Sequence, residues 1–85
     1  MKLKKLLKRL GEGSLQNVAF SDIIKLVEGF GFRLARVSGS HHIFTHPEIP
    51  ELINLQEVKG HAKPYQIRQV LSLVERYNLK LEEEP

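Results

Sequence analysis

The chain contains no cysteine and no tryptophan, and only one methionine, among its 85 residues. Without cysteine, disulfides and thiolate zinc sites are excluded. No apolar run approaches the roughly 18 residues that a membrane-spanning helix requires. The first ten residues hold no acid, and five of them are basic: Lys2, Lys4, Lys5, Lys8 and Arg9. That start is too basic and too interrupted for a signal peptide. A cytoplasmic protein with no membrane partner is expected. There is no internal repeat, and low complexity is confined to the charged ends.

What is present fits one small soluble domain. A hydrophobic fraction of 41% and a charged fraction of 27% are ordinary for a globular protein. A chain of this length buries only about 60–65% of its unfolded surface. The net charge of +3 is unevenly spread. With the basic start and the three glutamates at 82–84 set aside, residues 11–81 hold eight basic and seven acidic side chains, a net of +1. The body is nearly neutral, so this balance allows a polyanionic partner without demanding one. Three segments are expected: a basic amphipathic extension over 1–20, a folded domain over 21–81 and an acidic tail over 82–85.

Leu3, Leu6, Leu7 and Leu10 fall at i, i+3, i+4 and i+7 and predict a short amphipathic helix, stopped by Gly11 and Gly13. Ten residues are marginal for a free helix, so it must dock to persist. It either covers part of the domain or meets nucleic acid or a partner protein. Residues 14–20 read as a connection. Ser21 is the expected N-cap of a second helix carried by Ile23, Leu26, Val27 and Phe30, with Gly29 or Gly31 as its stop. Residues 32–37 read as a strand, and the turn at 38–40 leads as a hairpin into a second strand over 41–46. Pro47-Glu48-Ile49-Pro50 is expected to be a loop, residues 52–58 a third antiparallel strand, and residues 59–63 a polar loop. Pro64 suits the first turn of a last helix, with Asn78 near its C-terminal cap. The expected fold is α+β: α-β-β-β-α, a three-stranded antiparallel sheet with two helices on one face, plus the N-terminal helical extension.

Function points to one stretch, Gly39-Ser40-His41-His42-Ile43-Phe44-Thr45-His46-Pro47, which holds three of the four histidines. Metal chelation is disfavoured by spacing. His42 and His46 on a regular strand stand roughly 13 Å apart at ~3.3 Å per residue, and His41 and His42 point to opposite faces. Ser40 as a nucleophile has only its sequence neighbour His41 as a base, a poor geometry for a proton relay. Acid–base chemistry by one histidine beside cations remains. Imidazole titrates near neutrality. Metal-free RNA cleavage needs a group to take the 2′-hydroxyl proton and cations to hold the charge that develops on phosphorus. His41, with Arg36, Lys59 and Lys63 on elements that can converge, would suffice; a purely structural histidine is the alternative. With Phe44 as the core residue of this strand, His42 and His46 share its side and His41 looks outward; Ile43, on the side of His41, argues for the opposite register.

The run Ser21-Asp22-Ile23-Ile24-Lys25-Leu26-Val27, then Gly31-Phe32, Gly39-Ser40-His41-His42-Ile43-Phe44 and His46-Pro47, resembles the HicA toxins of type II toxin–antitoxin systems. The segment Lys63-Pro64, Ile67-Arg68 and Val70-Leu71 is similar to their closing helix. The likeness covers roughly residues 21–78, about two thirds of the chain. It implies a double-stranded-RNA-binding-like fold and an mRNA interferase, a cofactor-free endoribonuclease neutralised by a HicB-like antitoxin. The family's catalytic histidine directly follows Gly-Ser, which falls on His41, with Gly39 and Ser40 shaping the turn. Lys63 falls where the family often carries a lysine before its last helix, a candidate phosphate contact; Arg36 and Lys59 join it on charge and proximity. Residues 1–20 precede the usual family start. Where many members carry Val-Pro-x-His in the third strand, this chain reads Asn54-Leu55-Gln56-Glu57. A non-catalytic RNA-binding module and a protein-interaction subunit remain alternative readings.

Overall fold

Amphipathic helices form where the apolar spacing predicts them, in a computed structural model that describes residues 2–82. Helix α1 spans Leu3–Gly11, α2 Phe20–Gly29 and α3 Pro64–Arg76; the strands are β1 (Arg33–Ser38), β2 (His41–His46), β3 (Ile49–Val58) and β4 (His61–Ala62). All four strands make one antiparallel sheet in the order β1-β2-β3-β4. Of the acidic tail expected at 82–85, only Glu82 lies among the described residues.

The architecture is α+β as expected, but the sheet has four strands rather than three. The fourth arises inside the stretch read as a polar loop. Lys59 (φ 52°) and Gly60 (φ 80°) both adopt positive φ, the signature of a two-residue type I′ turn that folds β4 back on β3. The connection before α2 then holds β4 from its other side: Ala62 N–H donates to Val18 O at 2.9 Å and Phe20 N–H to Gly60 O at 2.9 Å. The segment 47–50 is also not wholly loop, because β3 begins at Ile49 and includes Pro50. β3 pairs with β4 only through Glu57 and Val58, so at Pro50 no ladder on that side is broken by the missing N–H. Helix α2 starts at Phe20 with Ala19 as its N-cap, so Ser21 lies inside the first turn rather than capping it. Pulling Phe20 into the helix buries its ring at 5% exposure, which outweighs a cap worth about 1 kcal/mol.

The core lies between the helices and one face of the sheet. Phe44, Ile53 and Leu55 project from the strands onto Ile23, Leu26, Val27, Ile67 and Val70, all buried. The leucine stripe of α1 belongs to the same core: Leu6 and Leu10 are each 1% exposed. Gly31 (φ +97°) ends α2 in the left-handed region. Phe32 N–H there reaches Val27 O at 3.1 Å and Gly31 N–H reaches Glu28 O at 3.0 Å, a Schellman closure. A Cβ on Gly31 would lie 2.8 Å from His46 Nε2, so the position excludes side chains twice over. The two ends of the chain meet at Gly29, where a Cβ would come within 2.8 Å of Leu81 Cδ1 and 3.0 Å of Leu3 Cδ1. Glu82 N–H donates to Gly29 O there at 2.6 Å.

The opposite face of the sheet carries no helix. β1 is an edge strand exposed along its whole length, and its pairing slips at a bulge between Leu34 and Arg36. His41, Ile43 and Thr45 of β2 are half-buried on this face, and Leu52 and Asn54 of β3 are exposed.

Candidate active site

The β1–β2 turn presents the candidate histidine. Gly39 (φ +60°) is the only one of the two turn residues with positive φ, as a type II′ hairpin requires. His41 is the first residue of β2, paired with Ser38 on β1 and Gln56 on β3. The core face takes Phe44, fully buried, and His46, 9% exposed; His42 stacks edge-on against Phe20 at a centroid distance of 4.9 Å. Alternation then sends His41 to the open face, where its Nδ1 meets Asn54 Oδ1 at 3.1 Å. An amide oxygen only accepts, so this contact is a hydrogen bond in the tautomer that carries its proton on Nδ1 and its lone pair on Nε2. Nε2 makes no hydrogen bond among the described residues.

A polar row braces the turn. Glu57 N–H donates to Ser40 O at 3.1 Å, Gln56 Nε2 approaches Ser40 Oγ at 3.4 Å, and Gln56 N–H donates to Gln66 Oε1 at 2.9 Å. Gln66 belongs to α3, so the last helix, β3 and the β1–β2 turn are tied together at one end of the sheet.

The sequence-predicted cations gather at that end to different degrees. Lys59 sits in the exposed β3–β4 turn, just beyond Val58 and so at the same end of the sheet as the β1–β2 turn. Lys63 is the N-cap residue of α3, with Nζ 5.9 Å from the centre of the Tyr65 ring. Arg36 pairs with Ile43, which places it on the face of His41 but one step further into the sheet. Among the described residues none of these three bonds to His41. Asn54, Gln56 and Gln66 were not anticipated as site residues. The alternation that buries Leu55 does place Asn54 and Gln56 outward, and that signal is available in the sequence.

Two concavities among the described residues lie elsewhere. A cleft of about 530 Å³ runs past Phe30, Gly31, His46, Glu48 and Tyr77 at the far end of the sheet, and one of about 260 Å³ separates β3 from α3 near Leu52 and Gln69. The larger one is a poor home for the chemistry. Both nitrogens of its histidine are committed, since His46 Nδ1 accepts from Glu48 N–H at 3.0 Å and Nε2 donates to Phe30 O at 3.0 Å. Its charged lining, Glu28, Glu48 and Glu82 against Arg33 and Lys80, offers a polyanion no net positive surface. At its rim Tyr77 Oη donates to both Glu51 oxygens, at 2.7 and 2.6 Å. That bond, with burial second, raises the phenol above its ordinary pKa of 10.0.

Among the described residues no three His, Asp or Glu side chains converge to hold a metal, and no helix is long and apolar enough to cross a membrane. A family model described as the HicA toxin of bacterial toxin–antitoxin systems matches residues 20–75. The chain belongs to the HicA toxin family. The match begins at α2 and ends at the last turn of α3, so it includes the turn, His41, Asn54 and all three candidate cations. Helix α1 lies outside it, although its leucines share the HicA core. No curated protein and no solved structure matches the chain. As a HicA toxin it is expected to act opposite an antitoxin partner.

Proposed function

We propose that this HicA toxin is an mRNA-cleaving endoribonuclease of the cytoplasm, that His41 is its acid–base catalyst, and that a HicB-like antitoxin neutralises it. The double-stranded-RNA-binding-like fold implied by the family resemblance is part of this reading. One observation carries it: His41 faces the open side of the sheet with Nδ1 held by Asn54 and Nε2 unbonded. In the proposed reaction Nε2 takes the proton of a 2′-hydroxyl. The 2′-oxygen forms a bond to the adjacent phosphorus, the bond to the 5′-oxygen breaks, and that oxygen leaves with a proton returned by an acid. Arg36, Lys59 and Lys63 steer the RNA and hold the charge growing on the phosphoryl oxygens, while Gly39 and Ser40 contact the RNA at the turn they shape to present His41.

A second reading, RNA binding without cleavage, draws on Glu57. It stands where many family members carry histidine, beside the β1–β2 turn, with its N–H bonded to Ser40 O. The experiment that separates the two is cleavage of a labelled mRNA by wild type and His41→Ala, each in excess EDTA. Wild type is expected to cleave with the chelator present. His41→Ala should lose ~10²–10⁴-fold in rate while keeping its fold and its RNA affinity within a few-fold. A folded His41→Ala protein that cleaves at the wild-type rate refutes the assignment. A wild type that binds RNA and never cuts it supports the binding module.

A further inference from the structure

We infer that Asn54 is a positioning residue for His41: its side-chain oxygen selects the imidazole tautomer that leaves Nε2 free to accept a proton. The inference rests on the proposed acid–base role of His41 and adds what makes that role possible. A neutral imidazole in water prefers the other tautomer, with the proton on Nε2. In that form Nε2 can only donate and Nδ1 holds the lone pair, turned toward the protein. A base acting from the open face therefore needs something to reverse the preference. Asn54 Oδ1, 3.1 Å from Nδ1, is an acceptor placed to do this.

The placement follows from the sheet. Asn54 pairs directly with Ile43, and His41 pairs with Gln56, so His41 and Asn54 are diagonal neighbours on one face of an antiparallel pair, within reach of medium-length side chains. The neighbours of Asn54 on β3, Ile53 and Leu55, are buried at 4% and 0%. They anchor the strand, so Asn54 cannot rotate to the other face without exposing them. Gln56, bonded to Ser40 and Gln66, fixes the next outward position, so His41 is gripped by a strand that is itself pinned to α3. Arg36 on β1, on this face, makes no bond to His41 among the described residues, which leaves the neutral amide as the one side-chain partner seen there.

A neutral hydrogen bond of this kind biases an equilibrium by roughly 2- to 13-fold, enough to reverse a modest tautomer preference. The test has an arm that does not depend on RNA. Nitrogen-15 NMR of the imidazole at a pH where it is neutral should show the proton of His41 on Nδ1 in wild type and mainly on Nε2 in Asn54→Leu. Asn54→Asp keeps an acceptor oxygen and should keep the proton on Nδ1. In RNA cleavage, Asn54→Leu should lower kcat on the order of tenfold with KM changed by no more than about twofold, the pattern of a group that acts on the reacting atoms rather than on binding. Asn54 is exposed, so the variant should unfold at the wild-type temperature. A wild-type His41 with its proton on Nε2, or an Asn54→Leu variant with unchanged tautomer and kcat, overturns the inference. If His41→Ala retains full cleavage, the acid–base reading fails instead, and the tautomer measurement still decides what Asn54 does to the ring.

Discussion

Deleting residues 1–12 discriminates between a helix that serves RNA binding and one that serves the core. The basic face of α1 invites the first reading, in which the truncated chain stays folded and only loses affinity. The leucine face argues for the second. Leu6 and Leu10 are each 1% exposed, and truncating one such leucine to alanine costs about 2–5 kcal/mol. Removing both therefore costs at least ~4 kcal/mol, before counting the half-buried Leu3 and Leu7. A domain of this size has roughly 4–13 kcal/mol in total, so the truncated chain should be largely unfolded at 37 °C. The single substitution Leu10→Ala gives a graded version. At about 3 kcal/mol it should lower Tm by roughly 12–24 °C, read by far-ultraviolet circular dichroism. Its control neutralises charge without touching the core: Lys2→Gln with Lys5→Gln should melt within a few degrees of wild type. The same control should make the salt dependence of RNA binding shallower by about 0.7 for each phosphate that is no longer neutralised. A truncated chain with a cooperative melt near the wild-type temperature would refute the packing argument and restore the helix as a separable RNA-binding arm.

Two further outcomes follow from the far end of the sheet. His46→Ala leaves Phe30 O and Glu48 N–H without their partners and removes a ring packed edge-on against Phe32, so chemical denaturation should show a loss of about 2–4 kcal/mol; a loss under about 0.5 kcal/mol would show that His46 is no brace. The raised pKa of Tyr77, caused first by its bond to Glu51 and then by burial, makes the folded state hold a proton that the unfolded state releases. That stability is fully present below the ordinary phenol pKa and is lost as pH rises through the folded value, so the urea midpoint should fall more steeply above pH ~10 for wild type than for Tyr77→Phe; equal slopes would refute the coupling.

The outward turn of His41 was only half legible in the sequence, because Phe44 and Ile43 argue for opposite registers and it is Phe44 that the fold buries. With Phe44 on the core face, period-2 alternation fixes His41 on the other. The leucine and isoleucine spacings likewise placed all three helices to within a few residues. What escaped depends on chain segments far apart. β4 is only two residues long and is held partly by Val18 and Ala19, some forty positions earlier, so nothing local marks it as a strand. The start of α2 was misplaced because burying Phe20 overrides a cap preference. Asn54 could be assigned to a face but not to a partner, since the diagonal that brings it to His41 is set by the β2–β3 register, and that register slips between Phe44 and His46.

The meeting of Leu3 and Leu81 over Gly29 bears on when this toxin can first exist during its own synthesis. The chain emerges from the ribosome N-terminus first, and small domains with long-range closure fold as one unit. Until α3 and the segment after it have left the exit tunnel, the buried residues of β3 lack the cover of that helix and the backbone of Gly29 stands uncovered. Gln66, which ties α3 to the strand beside His41, is also missing until that helix has emerged. The nascent protein therefore acquires its structure only once Leu81 and Glu82 have emerged to meet Gly29, and a partner waiting to bind it meets a finished fold rather than a growing one.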